Sequence, residues 1–155
     1  SFMQIFLLQQ YLVIIVLAPV TYIIAHGGGS LAVIDILGLC IWSVGFTFEI
    51  LGDYQLLRFT RDPANKGRIM TSGLWTYSRH PNYFGEVLFW WGLWLFGLAA
   101  DPGWAWTAVG PASIALLFLL VSVPWMDRRM LSRHPSWAEH MRTTSALVPW
   151  PRRAR

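Results

Sequence analysis

The sequence predicts an all-α fold, a polytopic membrane helix bundle of about four spanning helices with a short amphipathic helix after them, on three observations. The chain has 155 residues, 55% hydrophobic and 15% aromatic but only 13% charged, where an ordinary soluble domain carries about 25% charged residues. Its apolar residues gather in four stretches of membrane-spanning length. Its cations are segregated: no Lys or Arg precedes Arg58, and all twelve lie from there onward. Ten Trp, nine Phe and a mean hydropathy of +0.44 exclude disorder, a disulfide scaffold and a cytosolic domain, because so small a core has no room for so many rings.

The first apolar stretch runs from about Phe2 to Ala25. It lacks a basic leader and is too long for a signal peptide. His26-Gly27-Gly28-Gly29-Ser30 breaks it from the second, about Leu31 to Leu57. The third covers Tyr83 to about Ala100, and Asp101-Pro102-Gly103 turns the chain into the fourth, about Trp104 to Trp125. Neither turn carries a cation. The loop 58–82 and the tail 126–155 carry all of them, so the positive-inside rule places both on the cytoplasmic side. The net charge of +4 therefore reads as topology, and no nucleic-acid partner is expected. The chain is expected to form a single membrane domain over 1–155. It opens at Ser1 already within apolar sequence, which suggests the C-terminal part of a longer protein. Cys40 reads as a small buried hydrophobe, and His26, His80, His134 and His140 have no metal-ligand spacing, so no metal is expected.

Four acids fall in or beside membrane segments: Asp35, Glu49, Asp53 and Glu86. An acid in a spanning helix costs a few kcal/mol on insertion scales and usually faces protein. Asp35 is near enough to the outer turn to reach water. Glu49 and Asp53 stand one helical turn apart on a face shared with Trp42, Gly45 and Gly52, either a packed interior stripe or acids snorkelling to the interface.

Between Asp53 and Glu86 the chain is punctuated by Pro63, Gly67, Gly73 and Pro81, and so reads as loop with short helices. Arg58, Arg61, Lys66, Arg68 and Arg79 gather there with amide and hydroxyl donors, which suits a phosphate- or carboxylate-bearing ligand. Trp75, Tyr77 and Tyr83 offer stacking surfaces. A polybasic loop that binds only anionic lipid has a similar composition. The two flanking acids, Asp53 and Glu86, favour a pocket.

The run Gly73-Leu74-Trp75-Thr76-Tyr77-Ser78-Arg79-His80-Pro81-Asn82-Tyr83-Phe84-Gly85-Glu86 resembles the signature of the steroid 5-alpha-reductase-like family, in particular its bacterial branch of membrane proteins. Gly52-Asp53-Tyr54-Gln55 with Arg58, the block Asp62 to Arg68, and the closing segment Arg142 to Trp150 resemble that branch too. The resemblance covers about residues 31 to 151. It implies an NADPH-dependent reductase of an activated carbon–carbon double bond, acting on a lipid-soluble substrate from within a bacterial inner membrane. It also implies that Asp53, Arg68, Asn82 and Glu86 contact the cofactor, with Arg58, Arg79, His80 and Tyr83 as neighbours. Trp137 stands where relatives place an aromatic ring against it, and Arg142 is a further phosphate contact. His80 either touches the cofactor or sets the loop. Arg68 and Arg79 suit the diphosphate or the 2′-phosphate, and Asn82 and Glu86 the nicotinamide carboxamide. Relatives draw their substrate-side acid and tyrosine from earlier helices, so no catalytic residue is assigned.

Isoprenylcysteine and phospholipid methyltransferases share the Arg-His-Pro-x-Tyr motif and use S-adenosylmethionine. They follow it with paired glutamates where this chain reads Met126-Asp127-Arg128-Arg129, and membrane methyl transfer is the alternative reading. The tail from Pro135 to Arg142 reads as an amphipathic helix that either anchors to membrane lipid or covers the cofactor.

Overall fold

The computed structural model describes Ile14, Leu17, Val20–Tyr22, Ile24–Ala25 and residues 31–152. Among these residues there is no strand, and the described members of the first apolar stretch are helical. The rest of that stretch and the glycine turn after it lie outside the described residues. Three helices are long and apolar enough to cross a membrane, Val33–Arg61, Pro81–Ala100 and the composite Pro102–Arg133. The all-α membrane fold follows, and the protein is integral to a membrane.

Helix α1 is Val33–Arg61. Asp35 does more than reach water: its Oδ2 accepts from the Ala32 amide at 2.8 Å, holding one of the unpaired N–H groups at the helix start. At the other end α1 runs past Leu57 to Arg61, and Arg58 and Arg61 sit in the last turn, where cations suit the helix dipole. Pro63 stops it, since the residue before a proline is pushed out of helical geometry. Asp62 then caps a short 3₁₀ turn, Pro63–Asn65, by accepting from the Ala64 amide at 2.9 Å. Helix α2, Pro81–Ala100, begins on a proline, whose missing N–H costs nothing in a first turn.

The third span has four parts. A 3₁₀ stretch, Pro102–Ala108, is capped by Asp101, whose Oδ1 accepts from the Gly103 amide at 2.8 Å. Helix α3, Val109–Leu117, follows, then one π turn over Phe118–Ser122, then helix α4, Val123–Arg133. Pro124 accounts for the π turn. A proline ring collides with the carbonyl four residues back, and the widened turn just before it makes room. The fourth apolar stretch ends near Trp125 by composition, yet the helix continues to Arg133. Helix α5, Trp137–Thr143, closes the described structure.

The chain divides into two compact units, residues 1–45 with 87–116 and residues 46–86 with 117–155. In the first, α1 and α2 meet at glycines. A Cβ on Gly92 would lie 2.5 Å from the Trp42 amide nitrogen, and one on Gly38 would lie 3.1 Å from the Gly92 carbonyl oxygen. Small residues at such crossings are how membrane helices gain close packing without a hydrophobic drive. Tyr22 donates to Asp101 Oδ2 at 3.0 Å and its ring lies 4.5 Å from Trp104. Ile36, Leu39, Val44 and Val109, exposed in the protein, present hydrocarbon to lipid.

In the second unit Gly52 is buried against Asn82, where a Cβ would come 3.1 Å from the Asn82 amide nitrogen. The Gly52 carbonyl accepts from the Trp75 indole at 3.1 Å, and Phe48 meets Phe84 edge-on at 5.2 Å. Gly92→Ala should lower the thermal midpoint of the detergent-solubilised protein, at a cost of about 1–3 kcal/mol for overpacking. Gly38→Ala should cost less, because its neighbours need to yield only slightly.

Candidate functional site

The second unit holds the residues that the motif contributes. Gln55, on α1, accepts from the Leu74 amide through Oε1 at 2.9 Å. This contact requires glycine at position 73, with φ of +62° and an added Cβ only 2.4 Å from that same oxygen. The 3₁₀ turn Gly73–Thr76 then delivers Ser78 and Arg79 to the closing segment. Ser78 is fully buried; its hydroxyl donates to the Leu147 carbonyl at 2.7 Å and accepts from the His80 amide at 3.1 Å. The Arg79 amide donates to the Ser145 carbonyl at 2.9 Å, and the Trp150 amide to the Tyr77 carbonyl at 3.0 Å. Two sequence blocks far apart in the chain are thus laid side by side.

Beneath them is a buried charge cluster centred on Asp127. Its Oδ2 lies 2.8 Å from Arg79 Nη1 and its Oδ1 accepts from the Trp137 indole at 3.0 Å. His80 Nε2 is 3.7 Å from Oδ1, beyond hydrogen-bond reach. Arg79, His80, Asp127 and Trp137 are all buried. Burial pulls the Arg79 guanidinium below the ordinary arginine value, and the Asp127 carboxylate opposes that pull. Arg79 Nε has no hydrogen-bond partner, and the contact at Nη1 is close in distance but outside hydrogen-bond angles. The pair is held by charge rather than by a bidentate fork. His80 stacks on Tyr83 at 5.2 Å, and Tyr83 stacks on Phe118 of the π turn at 4.4 Å.

A cavity of about 300 Å³ opens beside this cluster, at the small end of the range for ligand sites. Arg68, Arg79, His80, Asn82, Tyr83 and Trp137, all singled out from the sequence, line it together, with Trp75, Met126, Met130 and His134. Asp53 joins through Asn82, whose Nδ2 donates to Asp53 Oδ1 at 3.0 Å. A carboxylate only accepts, so that bond fixes the amide orientation, and Asn82 Oδ1 is left buried with no partner. A donor such as a carboxamide N–H fits that orphaned acceptor. Exposed Arg68 at the same cavity fits an anionic group.

The remaining candidates sit elsewhere. Arg58 lines a separate depression with Tyr54, Asp62 and Asn65. Arg142 is exposed, pairs with Glu139 three residues before it, and lines a third depression. Glu86 is half-buried on α2, one turn beyond Asn82, and is not among the lining residues of the 300 Å³ cavity. Arg79, expected on a phosphate, lines the cavity and is also paired with Asp127. Asp127 was itself missed, although the argument applied to Glu49 and Asp53 covers it: it is an acid at the end of an apolar helix. His140, read as structural, is 2% exposed. Among the described residues no group of three His, Cys, Asp or Glu is placed to hold a metal.

Two outcomes follow from this geometry. Asp127→Ala leaves the Arg79 charge buried and unpaired and should cost about 3–5 kcal/mol. The double variant with Arg79→Ala should cost less than the two single losses added, as thermal unfolding in a double-mutant cycle will show. Burial, reinforced by repulsion from Arg152 and Arg79, depresses the His140 pKa from 6.5 to about 4. The unfolded chain then binds more protons through that window, so stability falls as pH drops from 6.5 toward 4, by up to about 3 kcal/mol. His140→Asn should flatten that part of the pH dependence of the thermal midpoint.

Comparison with known proteins adds three findings. A family model described as a protein of unknown function, DUF1295, matches residues 1–144. A mouse (Mus musculus) protein, 3-oxo-5-alpha-steroid 4-dehydrogenase 1, is 30% identical over 118 residues, which is 73% of this chain and 41% of that protein. A protein of Ustilaginoidea virens named probable O-methyltransferase ustE is 33% identical over 82 residues, 53% of this chain and 26% of that protein. The chain therefore spans less than half the length of either relative. No solved structure matches it.

Proposed function

This chain belongs to the steroid 5-alpha-reductase-like family DUF1295, and on that premise we propose that it carries the NADPH site of an integral-membrane reductase. The acceptor in this reading is an activated carbon–carbon double bond in a lipid-soluble substrate, steroid-like, isoprenoid or fatty. NADPH, when bound, supplies a hydride to that bond. The protein's own residues hold and orient. Asn82 Oδ1, buried and unpartnered in the wall of the cavity, accepts from the nicotinamide carboxamide; this orphaned acceptor is the observation that carries the reading. Asp53 keeps the Asn82 amide turned that way. Arg68 meets a phosphate. Tyr83, Trp75 and Trp137 supply ring surfaces that exclude water. Arg79 and Asp127 hold the frame. In this reading Glu86, Arg58 and Arg142 lie outside the carboxamide end of the site and act at its periphery. In this reading the cationic loop and the tail are cytoplasmic, as the positive-inside rule favours, and the membrane is the bacterial inner membrane that the resemblance implies.

Methyl transfer from S-adenosylmethionine is the second reading, favoured by the similarity to the methyltransferase ustE. Ligand-induced shifts in thermal stability separate the two. At a hundredfold its dissociation constant a ligand stabilises the folded state by about 2.7 kcal/mol. NADPH is expected to give such a shift and S-adenosylmethionine none; the reverse result replaces reduction by methyl transfer. Asn82→Leu should remove most of the NADPH shift. Arg68→Ala should weaken NADPH by about tenfold, as expected for a lost charge-assisted contact, and weaken NADH less if Arg68 meets the 2′-phosphate.

A further inference from the structure

A second cavity, of about 270 Å³, lies across Ile69 from the first and is lined by Thr71, Ser136, Glu139, His140, Thr143 and Arg152 as well. Its wall includes two nitrogen donors, on His140 and Arg152. His140 Nδ1 is 3.1 Å from the Thr144 hydroxyl and 3.5 Å from Arg152 Nη2. A guanidinium has no lone pair to offer, so Nδ1 is the acceptor and the proton is on Nε2. That Nε2–H is buried and has no partner, in a side chain only 2% exposed. An unpaired buried donor costs about 1–3 kcal/mol unless something accepts from it. Arg152 brings a full positive charge to the same wall, steadied by a 3.4 Å contact from its Nε to Thr144 Oγ1. The carboxylate in the wall, Glu139, is paired with Arg142, which lies outside it, and that pairing offsets its charge. A protonated Nε2 cannot ligate a metal.

We propose that this cavity is an oxyanion site that takes a phosphate group, with Arg152 and the Nε2–H of His140 as its two donors. Neither residue is needed to hold a nicotinamide ring, so the proposal does not depend on the reductase reading. The cavity's position beside the first, with the Trp137 and His140 rings 4.9 Å apart, puts a bound phosphate next to whatever the first cavity holds.

The test uses the whole chain in detergent at constant ionic strength, with inorganic phosphate replacing chloride. Phosphate should raise the thermal midpoint saturably. Arg152→Gln and His140→Phe should each weaken its apparent affinity about tenfold or more, the scale of one charge-assisted hydrogen bond. Arg61→Gln, which removes an exposed cation from the same unit, should change nothing. Arg152 is exposed, so its replacement keeps the test decisive even where the His140 variant fails to fold. Competition then names the source of the phosphate. Displacement by adenosine 2′,5′-bisphosphate assigns it to a nucleotide, and displacement by phosphatidic acid in the micelle assigns it to a lipid headgroup. No saturable effect of phosphate, or an equal effect in the Arg152→Gln protein, overturns the proposal. Because this assay contains no nicotinamide, its failure is distinguishable from a failure of NADPH to bind.

Discussion

The buried pairing of Arg79 with Asp127 is the constraint on which the second unit is built. Taking two charges out of water costs several kcal/mol each, and the arrangement is tolerable because the two charges face each other at 2.8 Å. Asp127 faces Arg79 on one oxygen and the Trp137 indole on the other. Those residues come from the loop before α2, from α4 and from α5. One carboxylate therefore ties together three segments that the Ser78–Leu147 clasp and the short connection from α4 to α5 bring close, and the cavity wall is what results. An apolar cluster of equal volume would pack as tightly but would not distinguish one arrangement of rings from another.

A second element of order is the column of parallel rings from His80 through Tyr83 to Phe118. Interplanar angles of 6° and 4° extend the rigidity of the loop into the membrane-spanning part of the second unit. Phe118 opens the π turn, and the π turn exists because Pro124 cannot follow regular α geometry. A proline in the fourth apolar stretch thus has an effect six residues upstream, at the ring against which Tyr83 is stacked.

Much of this could be read before any coordinates, for reasons that differ residue by residue. Spanning helices are legible because twenty apolar residues in a row have few other fates in lipid. Arg68, Asn82, Tyr83 and Trp137 could be singled out because of their chemical types and of the family that the surrounding sequence resembles, and the structure places them around one cavity. Asp53 was legible as an acid that needed a partner, and Asn82 is that partner. What sequence could not reveal was allocation. Arg58, Arg68, Arg79 and Arg142 are the same side chain, and only packing decides that Arg79 is buried against an acid while Arg68 borders the same cavity exposed. Asp127 is hard to single out because it is followed by Arg128 and Arg129, neighbours that would pair an exposed acid at a helix end, and only packing shows that its partner is Arg79. The cavity around His140 is not legible in the sequence, because its parts, Thr71, Ser136, His140 and Arg152, are ordinary residues scattered along the chain.

The clasp between the Ser78 hydroxyl and the Leu147 carbonyl joins residues 69 positions apart. Spanning helices enter a bilayer one by one on their own hydrophobicity, whereas contacts at such separation must await closure of a long loop. Biogenesis then has two separable stages, insertion and a later annealing of the tail onto the loop. A chain stalled between them would have every span in place and pass any test of topology, while the loop and tail that line both cavities stayed apart.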